Sequence, residues 1–508
     1  MAQRPNLILI LADDMGYSDI GCFGGEIDTP NIDKLCANGQ GYTQFYNTAR
    51  CCPSRASLLT GLNPHLAGIG HMTNDPENPT HYDKGLPGYR GFLNRDCVTI
   101  AEVLKDAGYH TYMSGKWHLG MHERDQWPLQ RGFDRFYGIL PGACNYMKPN
   151  GPRSMRRDND GPIPAQEGFY STDAFTDEAI QMLMERSDEN PFFLYLAYNA
   201  PHWPLQAPAE YVKKYRGKYL AGWDVLRQER YARMLEKGIM DEASCPLSPR
   251  DPDVRAYDTL TDMQKDEMDL RMATYAAQVD CMDANIGKLV KYLSDTEQLD
   301  NTLILFLSDN GGCGEGGELG HGSIEEINNP DIQKLVVSYG RCWANLSNTP
   351  LRMFKRYVQE GGINTPLIAH WPKGIKAKGI NHSPGYLPDI MPTFLELAGA
   401  NYPKTYHGGR PIHPLEGLSL TPVFETGERS GHAYMYFEHE DNCSIRAGRY
   451  KALQKYDTNA WELYDLETDR TELHDLSEER PDILNELAAK WHEWAQTHCV
   501  TPKTPGWL

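Results

Sequence analysis

The sequence has no Cys-x-x-Cys pair, no apolar run of membrane-spanning length, no internal repeat and no low-complexity segment. Its 12 cysteines are scattered, which argues against both a structural zinc site and a disulfide-dense scaffold. A spanning helix would need roughly 20 consecutive apolar residues. Basic residues are also in short supply, with 50 Lys and Arg against 69 Asp and Glu and a net charge of −19. Phosphate backbones need a basic footprint, so this balance argues against nucleic acid as a partner. An anionic substrate would need a local basic pocket set against an unfavourable global field. Met1-Ala2-Gln3-Arg4-Pro5 runs almost directly into an apolar stretch, so no signal peptide is expected. The chain is then either cytoplasmic or one from which an export leader was removed.

At 508 residues, with 40% hydrophobic and 23% charged residues, the chain is globular and too long for one small core. Asn6 to Ala12 is a continuous apolar run, the pattern of a strand buried on both faces of a parallel sheet. It ends in Asp13-Asp14. Paired carboxylates there repel unless a cation lies between them; a helix cap or turn is the plainer reading. Oxygen donors suit Ca²⁺ or Mg²⁺ rather than zinc. Three more apolar strands end in polar residues. Thr302 to Leu307 runs into Ser308-Asp309-Asn310, Phe192 to Tyr198 into Asn199-Ala200-Pro201-His202, and Thr111 to Met113 into Ser114-Gly115-Lys116-Trp117-His118. Open α/β sheets bind ligands at the carboxyl ends of their strands.

Helical patterns alternate with these strands. Thr99 to Ala107, Phe175 to Glu185 and Leu387 to Leu397 are helices, the last after a strand at Leu367 to His370. A longer one carries Met272, Tyr275, Val279, Met282, Ile286, Leu289 and Leu293 on one apolar face, read as core. The expected fold is a three-layer α/β domain over residues 1–412. From about His413 four short strands precede an amphipathic helix at Pro481 to Gln496, which predicts a smaller α+β subdomain over 413–508. The loops at Asn74 to Arg95, Lys148 to Gly168 and Gly311 to Asn348 either wall a pocket or are plain surface.

The stretch Thr48-Ala49-Arg50-Cys51-Cys52-Pro53-Ser54-Arg55-Ala56-Ser57-Leu58-Leu59-Thr60-Gly61 carries the chemistry. Pro53 can take the first helical position, and Thr60-Gly61 can close the helix. A cysteine at that N-terminus, with Arg55 one turn on, should have a depressed pKa and be reactive. A buried structural cysteine is the plainer reading.

This string resembles the sulfatase signature, Cys-x-Pro-Ser-Arg followed by Leu-Thr-Gly, with Cys51 in the signature position. Gly115-Lys116-Trp117-His118 resembles the second sulfatase signature, and the likeness extends over nearly the whole chain, towards the bacterial arylsulfatase branch. The resemblance implies an alkaline-phosphatase-like, mostly parallel sheet with a small C-terminal subdomain built on an antiparallel sheet. It also implies that Cys51 is converted to formylglycine, whose hydrated aldehyde carries the nucleophilic oxygen. Conversion needs a formylglycine-generating or anaerobic sulfatase-maturing enzyme. Asp13, Asp14, Asp309 and Asn310 match the family's metal ligands, with an oxygen of residue 51 completing the set around Ca²⁺, or less readily Mg²⁺. Arg55 matches the arginine that holds residue 51 and the metal-side carboxylates. Lys116 and Lys355 match sulfate contacts, His118 a partner of the formylglycine hydroxyl, and His202 a sulfate and leaving-group contact. Asn364 stands where an arginine is usual.

The implied reaction is hydrolysis of sulfate monoesters. A carbohydrate exo-sulfatase is the first expectation. An arylsulfatase, a phosphate or phosphonate monoester hydrolase of the same superfold, and a sulfated-glycan binding protein with a degenerate site are the alternatives. His65, His71, Arg90, Arg95 and Trp507 are candidate sugar contacts, Trp507 alternatively anchoring the tail. The resemblance favours export to a bacterial periplasm or beyond the cell. The physical reading agrees: two lysines and a dication neutralise sulfuryl charge, and a histidine titrating near neutrality donates a proton to the leaving oxygen.

Overall fold

The structure, a computed structural model, describes residues 4–331, 335–406, 409–455 and 457–501. Trp507 lies outside them.

The apolar runs found in the sequence form the middle of an 11-stranded sheet. In chain order its strands are β1 (Asn6–Ala12), β2 (Gln40–Tyr46), β3 (His110–Lys116), β4 (Arg135–Ile139), β5 (Met155–Arg157), β6 (Asp160–Ile163), β7 (Phe192–Ala197), β8 (Thr302–Ser308), β9 (Asn364–His370), β10 (Gly379–Asn381) and β11 (Gly385–Tyr386). The spatial order is β10-β2-β9-β8-β1-β7-β3-β4-β5-β6, with β11 beside β2. Strands β8, β1, β7, β3 and β4 are mutually parallel, and β9 runs antiparallel to both its neighbours.

Side chains of a strand alternate between faces, and β1 divides accordingly. Leu7, Leu9 and Leu11 join one core with Leu58, Leu59, Ile100, Ile390 and Phe394, from the helices Cys51–Thr60, Ile100–Asp106 and Ile390–Ala398. Ile8, Ile10 and Ala12 join the opposite core with Phe175, Met182, Met282, Ile286 and Leu289, from the helices Ser171–Met184 and Asp262–Asp295. The expected three layers are present. The helix Asp262–Asp295 has 34 residues and outruns the sheet. Its Met272, Tyr275 and Val279 pack instead in a third cluster with Trp223 and Trp343.

Two local expectations change. Strand β3 continues through Ser114, Gly115 and Lys116, so these residues are part of the ladder rather than the loop after it. Gly115 pairs with Ala197, and a Cβ on Gly115 would sit 1.9 Å from the Ala197 carbonyl oxygen. The close approach of β3 to β7 therefore requires glycine there. The helix begins at Cys51 rather than at Pro53, with Arg50 as its N-cap. Pro53 is tolerated because the N–H groups of the whole first turn lack intrahelical acceptors. Gly61 closes the helix in the left-handed region, at φ 68°.

Beyond the main sheet, β12 (Met435–His439), β13 (Asn442–Ala447), β14 (Tyr450–Gln454) and β15 (Trp461–Asp465) form an antiparallel meander. One face packs Ile445, Ala452 and Leu463 against Leu487, Trp491 and Trp494 of the helix Pro481–Thr497. The other packs Phe437 and Leu453 against Tyr46, Ala49 and Ile363, beside the start of the Cys51 helix. Across this junction the buried Lys451 Nζ lies 2.8 Å from both Glu360 and Glu472.

Candidate active site

Register brings the charged residues together. β1 and β8 pair from Asn6 with Thr302 to Ala12 with Ser308, so Asp13 and Asp309 emerge side by side. β7 and β3 follow on the other side of β1, placing His202 and Lys116 at the same edge. The Cys51 helix starts there, and Lys355 reaches in from the segment before β9.

Asp13, Asp14, Asp309, Asn310, Arg55 and Lys116 are all buried. Lys116 Nζ donates to Asp13 Oδ2 at 2.6 Å, and Lys355 Nζ to Asp14 Oδ2 at 2.9 Å. Arg55 donates through Nε and Nη2 to Asp309 Oδ2 at 3.0 and 2.7 Å, and through Nη1 to the Lys116 carbonyl at 2.9 Å. Its Nη2 is also 3.7 Å from Asp13 Oδ1. Asn310 Nδ2 donates to Asp14 Oδ1 at 2.8 Å. Burial pushes the Asp13 carboxyl well up and raises Asp309, against the nearby cations. Burial acts on Asp14 too, but Lys355 and His202 outweigh it and hold that carboxyl below its usual range.

This donor set fits a hard divalent cation. Asp13 Oδ1 and Asn310 Oδ1 are buried and accept no hydrogen bond from the described residues, so each keeps a lone pair to offer. Asp13, Asp14 and His202 each bring a ligand atom within 4.8 Å of the others. Three carboxylates and an amide oxygen are the chemistry of an oxygen-ligated ion.

Cys51 is 2% exposed, and its thiol is held well below its ordinary pKa. A hydrogen bond from Cys52 is the largest cause, and Lys116, His118 and Lys355 add to it against burial. Burial drives Cys52 the opposite way. Cys51, Cys52 and His118 also bring ligand atoms within 4.8 Å of one another. Burial pushes His118 down to about 4 and His202 to about 3, so neither titrates near neutrality as the sequence led us to expect. Asp14, Ala49 and His118 are non-glycine residues at φ 67°, 62° and 55°. Such conformations cost energy and concentrate where surrounding structure holds functional groups in place.

The site opens into a cleft of about 570 Å³, whose walls include Met72, Asp75, Tyr82, Trp203, Glu315 and Tyr357. Parts of all three long loops therefore wall the pocket. Sequence reasoning missed Glu315, which accepts from Arg50 Nη1 at 2.6 Å and lies 3.8 Å from Lys355. A lone acid inside the glycine-rich run after β8 was the available signal. It also missed Tyr275, whose hydroxyl donates to Asp19 Oδ2 at 2.7 Å and lies 3.3 Å from the Asp14 carbonyl, behind the site.

Of the candidate sugar contacts, the four within the described residues, His65, His71, Arg90 and Arg95, do not line this cleft. His71 is buried 3.5 Å from Glu440, against the meander. His65 lies 2.6 Å from Glu438. Arg90 pairs with Asp83 at 3.1 Å, and with Arg95 it lines a separate cavity of about 320 Å³. Their loop folds toward the C-terminal sheet and the outer surface, which spacing along the chain does not reveal.

The family model described as Sulfatase matches residues 5–400. This chain belongs to the sulfatase family. A second model, N-sulphoglucosamine sulphohydrolase, C-terminal, matches residues 352–501. The sulfatase is 36% identical over 532 residues to an uncharacterized sulfatase of Schizosaccharomyces pombe, covering 98% of this chain and 95% of that one. It is 35% identical over 450 residues to an arylsulfatase of Klebsiella aerogenes, covering 85% and 94%. The crystal structure of Ps i-CgsB, 28% identical, superposes with a TM-score of 0.70 over 100% of this chain and 95% of that one. Ps i-CgsB has also been solved in complex with k-i-k-neocarrahexaose. The enzyme is thus a sulfuric ester hydrolase on the alkaline-phosphatase-like fold. Among the described residues no helix is long and apolar enough to cross a membrane.

Proposed function

We propose that this sulfatase removes sulfate from carbohydrates, acting on exposed sulfated sugars, with formylglycine at position 51 and Ca²⁺ as its cation. Residues 1–412 would form the catalytic domain, and 413–508 a subdomain bracing its rim. The observation that carries the reading is the convergence of Asp13, Asp14, Asp309 and Asn310 beside Cys51, with two lone-pair oxygens unused. The aldehyde hydrate supplies the nucleophilic oxygen, and the cation, when bound, lowers the pKa of that oxygen and neutralises sulfate charge.

This chain's own residues do the rest. Arg55 fixes Asp309 and lies against Asp13, holding both carboxylates in place. Lys116 and Lys355 present ammonium groups to sulfate oxygens, where charge spreads as the ester bond breaks. His118 orients residue 51. His202 is neutral in the ligand-free cleft, and an incoming sulfate raises its pKa. The imidazolium then protonates the leaving sugar oxygen. Tyr82, Trp203 and Tyr357 offer flat faces that suit sugar rings, and the neocarrahexaose complex of Ps i-CgsB supports a glycan substrate.

The test is kcat/KM on defined sulfated monosaccharides, on 4-nitrophenyl sulfate and on matched phosphate esters. At least one sugar sulfate is expected to exceed 4-nitrophenyl sulfate by about tenfold, and its phosphate analogue by about 10³-fold. Turnover of aryl sulfate alone would reject the carbohydrate reading.

A further inference from the structure

The cleft above residue 51 is cationic in a molecule of net charge −19. Among the described residues, five cationic side chains line it against the carboxylates of Asp75 and Glu315. Four of the five already have carboxylate partners. Lys355 holds Asp14 at 2.8 Å, Arg50 holds Glu315 at 2.6 Å, Arg341 holds Asp253 at 2.6 Å, and Arg356 holds Glu440.

Arg153 is the exception. It forms no ion pair among the described residues, and its Nη1 donates to the carbonyl of Ala143 at 2.9 Å. The side chain is half-buried, so part of its hydration is lost without a counter-ion in return. Burial pushes the guanidinium pKa down, and the more distant Asp75 only partly opposes this. The residue sits at the end of a short 3₁₀ turn, Gly151–Arg153, just before β5, which gives it a fixed base. A guanidinium presents several planar N–H donors, and one bond to a backbone carbonyl leaves the others for a carboxylate or sulfate.

We propose that Arg153 binds a second anionic group, a sulfate ester or a carboxylate, on the substrate whose sulfate is hydrolysed at residue 51. The preferred substrates are then dianionic. The inference rests on the sulfate-hydrolase reading of the site, and on the saccharide reading only for the scaffold that carries both charges. Arg153 is a specificity residue and takes no part in bond breaking.

The experiment compares kcat/KM within substrate pairs that differ by one anionic group, using the mature enzyme. One saccharide pair adds a second sulfate, another adds a uronate carboxylate, and an aryl pair sets 4-nitrophenyl sulfate against its ring-carboxylated analogue. The wild type is expected to favour a dianionic member by about tenfold to a hundredfold, chiefly through KM. Arg153→Met collapses that ratio toward one, and Arg153→Lys keeps part of it. Thermal unfolding of each variant checks that it is folded, and the within-variant ratio cancels any general loss. Comparing the sulfate and carboxylate arms shows which anion is read. A ratio unchanged in Arg153→Met, or no dianion preference in the wild type, overturns the assignment. If no saccharide is turned over but the aryl pair shows an Arg153-dependent ratio, the saccharide reading falls and the Arg153 assignment stands.

Discussion

Replacing Cys51 with alanine is expected to abolish sulfate-ester hydrolysis, with kcat falling by at least about 10⁴-fold. No other described side chain in the site can take over the nucleophile's place. Cys52 is one position further along the helix, and its thiol is driven up by burial. His118 then has no residue-51 oxygen to orient, and His202 can only donate a proton to a leaving group that nothing displaces. The fold should survive, because the truncation removes one sulfur atom from a position beside the cleft. Cys51→Ser is the sharper variant. It sets a hydroxyl where the thiol stood but lacks the second oxygen of an aldehyde hydrate, so turnover should be lost in a host that matures only cysteine, and unchanged activity there would contradict the formylglycine assignment.

The second large effect is expected at Asp309. Arg55 makes two of its three short side-chain hydrogen bonds to Asp309 Oδ2, at 3.0 and 2.7 Å, and neither residue is exposed to solvent. Asp309→Ala leaves a buried guanidinium with its bond to the Lys116 carbonyl at 2.9 Å and, as its nearest remaining carboxylate oxygen, Asp13 Oδ1 at 3.7 Å. A buried charge stripped of its partner costs about 3–5 kcal/mol, which denaturant unfolding would measure. The same change removes one donor of the proposed cation site, so kcat should fall by about 10³-fold. Bound calcium, measured by elemental analysis after dialysis, should fall from one equivalent toward none. Asp309→Asn separates the two effects. It keeps an acceptor for Arg55 and loses the negative charge, so part of the stability should return while calcium and activity do not. Full calcium occupancy in Asp309→Ala would show that the ion is held elsewhere.

The parts legible in the sequence were those that local pattern determines. The β1 run, its mate at 302–307 and the body and end of the helix after Cys51 follow from apolar continuity and from Gly61 as a stop. The polar residues after each strand converge because parallel strands end at one edge. Other features depend on contacts between distant segments. Gly115 and Lys116 read as a loop motif until the approach of Ala197 shows why glycine must stand inside the strand. The neutral state of His202 depends on burial, which no motif encodes. His71, Arg90 and Arg95 are polar, lie in or beside one loop and look like sugar contacts. The chain instead carries His71 to Glu440 and Arg90 to Asp83. Arg153 lies in a loop that the sequence marks only as rich in proline and charge. Its lack of a carboxylate partner among the described residues emerges only when the ion pairs around the cleft are seen together.

The central claim is that residue 51 of the working enzyme is no longer a cysteine. Mass spectrometry of the peptide that spans residue 51, taken from a preparation of known specific activity, tests this directly. The account predicts that the thiol sulfur is replaced by an aldehyde oxygen, in a fraction that rises in proportion to activity across preparations. A fully active enzyme whose residue 51 is an intact cysteine would contradict it.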